Sequence, residues 1–196
     1  ASPVKSAHFV EDRDRVVLDS NPALLRAALE AGGAVPAFEK AGPRSKIYFD
    51  PSKLKCGIVT CGGLCPGLND VIRAIVLSLY HNYGVRNVFG FPYGYEGLTY
   101  RYGHTPVELT PSAVSRIHEY GGTILGSSRG NQDTGEIVDT LDRMNIGLLF
   151  AIGGDGTLRG AREISEEVQK RGLKIAVVGI PKTIDNDISY VERSFG

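Results

Sequence analysis

The chain has 196 residues, 42% of them hydrophobic and 22% charged, with 22 basic side chains against 22 acidic ones. That is the composition of an ordinary globular chain with room for one well-buried domain, and no apolar run approaches the ~18 residues that span a bilayer. With the charges cancelling there is no global field to draw it to nucleic acid or an anionic membrane, so neither partner is expected.

Residues 1–54 read as an N-terminal extension or arm without chemistry, packed on the domain or on a neighbouring subunit. No charged start followed by an apolar core is visible there, so the cytoplasm is the expected compartment, with an organelle such as a glycosome or plastid left open. Asn21 and Pro22 predict a cap and first helical residue, Ala23 to Ala31 a short helix, and Gly32-Gly33 its end. A loop over residues 41–45 and a short extended segment over 46–50 follow.

The domain proper is read over 55–196. It opens with a strand, Cys56 to Thr60, a loop from Cys61 to Gly67, and a helix from about Asn69. In that helix Ile72, Ile75, Val76, Leu79 and Tyr83 fall at helical spacing before Gly84. A strand, a glycine loop and a helix let backbone N–H groups approach phosphate oxygens with the helix dipole behind them. The loop lacks Gly-Lys-Ser/Thr, so it is not a Walker loop, and a tight turn without ligand is the competing reading. Cys56, Cys61 and Cys65 have no nearby histidine to complete a zinc set and read as loop or buried thiols.

Further along, 85–91 predicts a strand, 92–98 an aromatic loop, and Thr110-Pro111 the start of a helix closed by Gly121-Gly122. An extended piece over 123–130 carries Arg129, and a short helix spans 135–144. The continuous apolar run 148–152 predicts a buried parallel strand. It feeds the turn Gly153-Gly154-Asp155-Gly156-Thr157 and a helix over 158–171 ended by Gly172. A second apolar run, 175–180, leads to Pro181-Lys182-Thr183-Ile184-Asp185-Asn186-Asp187. The alternation predicts an α/β fold with a doubly wound, mainly parallel sheet, delivering two acidic loops to the one sheet edge where such folds bind ligands.

Four stretches, 60–69, 121–129, 152–157 and 181–187, resemble phosphofructokinases in content and order, and the resemblance covers 55–196. The Gly-Gly-Asp-Gly-Thr turn is also found in NAD kinases and diacylglycerol kinases; the Thr-Ile-Asp-Asn-Asp sequence breaks the tie. The stretches Ala41-Gly42-Pro43-Arg44 and Ile47-Tyr48-Phe49-Asp50 resemble the plant and trypanosomatid type.

The resemblance implies phosphoryl transfer from ATP to the 1-hydroxyl of fructose 6-phosphate with Mg²⁺, in a homo-oligomer, dimer or tetramer. It implies Asp185 as general base, Asp155 at the magnesium, and Arg129 at the transferring group. Gly62, Gly63, Gly154, Gly156 and Thr157 fall to the donor, and Lys182, Thr183 and Asp187 to the catalytic loop. Turn capping is the plainer role for these acidic residues. Gly156 speaks for ATP, because pyrophosphate users carry aspartate there, whereas Lys182 is the residue those users carry; Gly156 weighs more, and pyrophosphate is the alternative donor. Two departures from bacterial enzymes stand out: Leu64-Cys65 replaces Asp-Ala, and Leu77 replaces an effector-site arginine although Arg73 matches another. ADP regulation of the bacterial type is therefore not expected. The family continues past the acceptor motif, so a C-terminal part supplying most sugar-phosphate contacts is expected to be missing. A non-catalytic nucleotide-binding or regulatory module is the reading from another class.

Overall fold

Two units, Ala1–Tyr48 and Phe49–Gly196, make up the computed structural model, which describes residues 1–191, 194 and 195. Glu192, Arg193 and Gly196, in the expected domain, lie outside the described residues.

In the first unit β1 (Arg15–Val17) pairs antiparallel with β2 (Ala37–Glu39), a ladder the sequence reading did not anticipate, and α1 (Pro22–Glu30) lies between them in the chain. The start of α1 is as expected: Pro22 takes the first turn, and the Ala23 N–H donates to Asn21 Oδ1 at 3.0 Å. Residues 46–50 do not form the expected extended segment. They run through bends, and the Asp50 carboxylate closes the next turn by accepting from the Ser52 N–H at 3.0 Å and Oγ at 2.7 Å.

The second unit holds a five-stranded sheet: β3 (Lys55–Thr60), β4 (Asn87–Gly90), β5 (Val107–Glu108), β6 (Ile146–Gly153) and β7 (Ala176–Pro181), in the order β5-β4-β3-β6-β7. All pairings are parallel except that of β5, a short antiparallel edge. The mainly parallel sheet is as expected. Alternate residues of the strands serve two cores. Cys56 and Ile58 join Leu68, Ile72 and Val76 of α2 (Leu68–Ser78), whereas Val59, Leu149 and Ala151 join residues of α3 (Thr134–Arg143) and α4 (Asp155–Lys170). Burial on both faces is why these strands read as continuous apolar runs.

The chain leaves β3 toward β4 on one side and later returns to β6 on the other. The carboxyl ends of β3 and β6 therefore flank the point where strand order reverses, the crevice where open α/β sheets take ligands. Among the described residues no helix is long and apolar enough to cross a membrane.

Three other expectations give way. The helix predicted to start at Thr110-Pro111 is a series of turns with one 3₁₀ turn, Ile117–Glu119. Hydroxyls compete with the helical ladder there: Thr110 Oγ1 accepts from the Ala113 N–H at 3.1 Å, and Ser115 Oγ donates to the Ser112 carbonyl at 2.8 Å. Residues 123–130 form no strand, because a turn closes from the Gly126 N–H to the Thr123 carbonyl at 3.1 Å with Gly126 at φ +65°. Helix α4 begins at Asp155 rather than Leu158, so Asp155, Gly156 and Thr157 form its first turn.

Candidate active site

Three strand ends stand side by side at the crevice. The Cys61 N–H past β3 donates to the Ile152 carbonyl at 2.9 Å, and the Lys182 N–H past β7 donates to the Gly153 carbonyl at 2.8 Å. The loop after β3 turns at Gly62, whose φ of +79° suits a residue without a Cβ. The loop after β6 passes at once into α4, whose first-turn N–H groups have no partners within the helix and carry the positive end of its dipole.

A cavity of about 250 Å³ opens between these loops. Its wall is rich in backbone and carries two cations: Gly62, Gly63, Gly154, Gly156 and Thr157 line it with Arg129 and Lys182. Lys182 is 5% exposed, and its ammonium donates to the Gly63 carbonyl. Arg129 Nη2 lies 3.5 Å from the point where a Cβ on Gly63 would stand. Ile137 of α3, Glu163 and Ile164 of α4, Gln132 and Tyr95 also line the cavity. The two cations and the open backbone suit a ligand that carries an anionic group.

Seven of the residues singled out from sequence meet in this cavity: Gly62, Gly63, Arg129, Gly154, Gly156, Thr157 and Lys182. Asp155, Thr183, Asp185 and Asp187 do not line it. The Asp155 carboxylate turns along α4 to accept from Arg159, with Nε at 3.1 Å. Thr183 Oγ1 donates to the Asp187 carboxylate, while the Thr183 N–H donates to Ser194 Oγ at 3.1 Å. Asp185 is exposed between them.

The sequence profile of the phosphofructokinase family matches residues 55–196. The chain belongs to the phosphofructokinase family. A Borreliella burgdorferi protein named ATP-dependent 6-phosphofructokinase is 60% identical over 158 residues, covering 81% of this chain and 35% of that protein. One of the same name from Amycolatopsis methanolica is 51% identical over 191 residues, covering 97% of this chain and 41% of that protein. The crystal structure of Pichia pastoris phosphofructokinase in the T-state matches with a TM-score of 0.64 at 25% identity, covering 89% of this chain and 22% of that one. The chain thus spans 35% and 41% of the length of these two curated relatives.

Tyr95 and Gln132 are among the cavity residues of this phosphofructokinase chain that were not singled out from sequence. Tyr95, in the aromatic loop at 92–98, donates its buried hydroxyl to the Thr157 carbonyl at 2.7 Å, and its ring sits 2.8 Å from where a Cβ on Gly160 would stand. Gln132 lines the cavity while its Oε1 accepts from Arg101 Nη2 at 3.2 Å. The aromatic character of 92–98 suits ligand or packing contacts without separating Tyr95 from Tyr93, and no local signal marks Gln132.

Burial pushes the Cys61 thiol on the cavity wall up from its ordinary 9.0 to about 11, despite the opposing backbone N–H of Tyr95, and pushes Cys56 up to about 12. The folded chain therefore holds protons that the unfolded chain releases first. Their stabilising effect is complete below pH 9.0 and declines as pH rises through about 11, with Cys61 contributing on the order of 2–3 kcal/mol. Urea midpoints at pH 8 and pH 10 should separate in the native sequence and separate less in Cys61→Ala. Equal separation in both would remove Cys61 as the cause.

Proposed function

We propose that this chain carries the donor site of an ATP-dependent 6-phosphofructokinase, an enzyme moving the γ-phosphoryl group of ATP to the 1-hydroxyl of fructose 6-phosphate to give fructose 1,6-bisphosphate. The observation that carries the reading is the cationic, glycine-walled cavity at the switch point. Gly156 borders it with no atom within 4 Å of where its Cβ would stand, leaving room beside the phosphates for a nucleoside. The names of the relatives at 60% and 51% identity support it.

Phosphoryl transfer asks for positioning and charge neutralisation more than for covalent chemistry by the protein. The Gly63 N–H and those of the first turn of α4 bind the β- and γ-phosphate oxygens, while the Gly62 N–H holds the loop by donating to the Ser128 carbonyl at 3.0 Å. Arg129 offers a planar fork to the moving group, and Lys182 a compact charge beside Gly63. Asp185 receives the sugar hydroxyl proton as the new O–P bond forms and the bond to the β-phosphate oxygen breaks, releasing ADP. The hydrogen bond from Thr183 to Asp187 stiffens the loop that carries Asp185.

Among the described residues no three metal-ligating side chains cluster, but Mg²⁺ shared with phosphates needs only one or two carboxylates. Asp155 fits that need once Arg159 yields it, and bound Mg²⁺ would neutralise donor charge. The sugar-phosphate contacts fall to the remaining length of the relatives, in a cytoplasmic homo-oligomer.

Pyrophosphate is the second reading, favoured by the buried ammonium of Lys182. Donor competition in the full-length enzyme separates the two: kcat/KM is expected to be higher for ATP than for pyrophosphate, and Asp155→Ala should raise the Mg²⁺ concentration needed. A preference for pyrophosphate would make Lys182 the better guide. ATP binding without turnover in the full-length protein would favour a regulatory module.

A further inference from the structure

The segment from Tyr120 to Arg129 has no strand or helix ladder across its last seven residues, yet it must deliver the Arg129 guanidinium to the cavity. Its path is held by side chains from other elements. Asn69, on the first turn of α2 and 2% exposed, donates through Nδ2 to the Tyr120 carbonyl at 3.0 Å and accepts through Oδ1 from the Ile124 N–H at 2.8 Å. One buried amide thus closes the Gly121-Gly122-Thr123 turn from outside. This requires a donor and an acceptor on a single short side chain, which asparagine supplies and aspartate does not.

Beyond the clasp, Thr60 Oγ1 donates to the Gly126 carbonyl at 2.7 Å, the Gly62 N–H donates to the Ser128 carbonyl at 3.0 Å, and Ser127 Oγ donates to the Gly62 carbonyl at 2.5 Å. The donor loop and the arginine loop are therefore laced together, with Asn69 at the far anchor.

We propose that Asn69 is a positioning residue: by bridging Tyr120 and Ile124 it sets the course of the segment and, through it, the placement of Arg129 over Gly63. The kinetic part rests on the donor-site reading above; the structural part does not. A displacement of about 1 Å at a group that contacts the reacting atoms can cost up to about 10²-fold in rate.

The test is a double-mutant cycle in the full-length enzyme with Asn69→Ala, Arg129→Ala and both, repeated with the isosteric Asn69→Asp in case the alanine variant does not fold. It is joined to amide hydrogen exchange at Ile124 in the same enzyme. Expected are a fall in kcat of about tenfold for Asn69→Ala with the sugar-phosphate KM nearly unchanged, little further loss when Arg129 is already alanine, and exchange at Ile124 faster by about tenfold or more. Equal factors in the presence and absence of Arg129 would overturn the coupling, and unchanged exchange at Ile124 would overturn the clasp. If Arg129→Ala alone leaves kcat unaltered, the donor-site reading and the kinetic coupling both fail, whereas the exchange result still decides the clasp.

Discussion

Asp185→Asn in the full-length enzyme is expected to lower kcat by ~10²- to 10⁴-fold, the usual loss when a positioned general base is removed, while leaving donor affinity nearly unchanged. The amide keeps the size and shape of the carboxylate and removes its capacity to take the hydroxyl proton. Two structural facts separate this effect from donor binding. Asp185 is exposed on the loop beyond β7, and it does not line the cavity that contains Gly62, Gly156 and Lys182. Calorimetric titration with ATP and Mg²⁺ should therefore give similar affinities for both forms, with the difference confined to turnover. A change in kcat smaller than about threefold would take the role of base away from Asp185.

Two glycines of one turn should respond in opposite ways. At Gly153 an added Cβ would stand 2.1 Å from Thr157 Oγ1 and 2.6 Å from Thr157 Cβ, so Gly153→Ala forces the end of β6 away from α4. Overpacking of that kind costs about 1–3 kcal/mol, and Tm should drop accordingly. At Gly156 the corresponding position is open, and the residue lies in the first turn of α4. Gly156→Asp should leave Tm unchanged or raise it, since replacing a helical glycine and adding a negative charge at a helix N-terminus each contribute a few tenths to about 1 kcal/mol. The same carboxylate would meet the nucleotide's α-phosphate, which has no counterpart in pyrophosphate, so kcat/KM for ATP should fall more than about tenfold while pyrophosphate should be spared. Equal losses with both donors would show that Gly156 does not distinguish them.

What could be read along the chain were the features whose cause is local. The runs at 56–60 and 148–152 announced β3 and β6 because strands covered on both faces need apolar side chains at successive positions, and the run at 175–180 announced β7, an edge strand whose Val178 is exposed. Asn21-Pro22 announced the start of α1 because capping is settled within a few residues. The glycine turns were legible for the same reason, and they brought five of the seven site residues, Gly62, Gly63, Gly154, Gly156 and Thr157, into one cavity.

The tertiary structure alone decided what depends on partners far along the chain. Residues 111–130 carry helix and strand signals, but the Tyr120 carbonyl and the Ile124 N–H are claimed by Asn69, and Gly126 is claimed by Thr60. Tyr95 reaches Thr157 across 62 residues of sequence. The direction taken by Asp155, toward Arg159 and away from the cavity, goes with its place in the first turn of α4, which begins three residues before the expected Leu158. Backbone groups without a local ladder take whatever buried partner the fold presents, because an unpaired polar group inside costs more than a lost propensity.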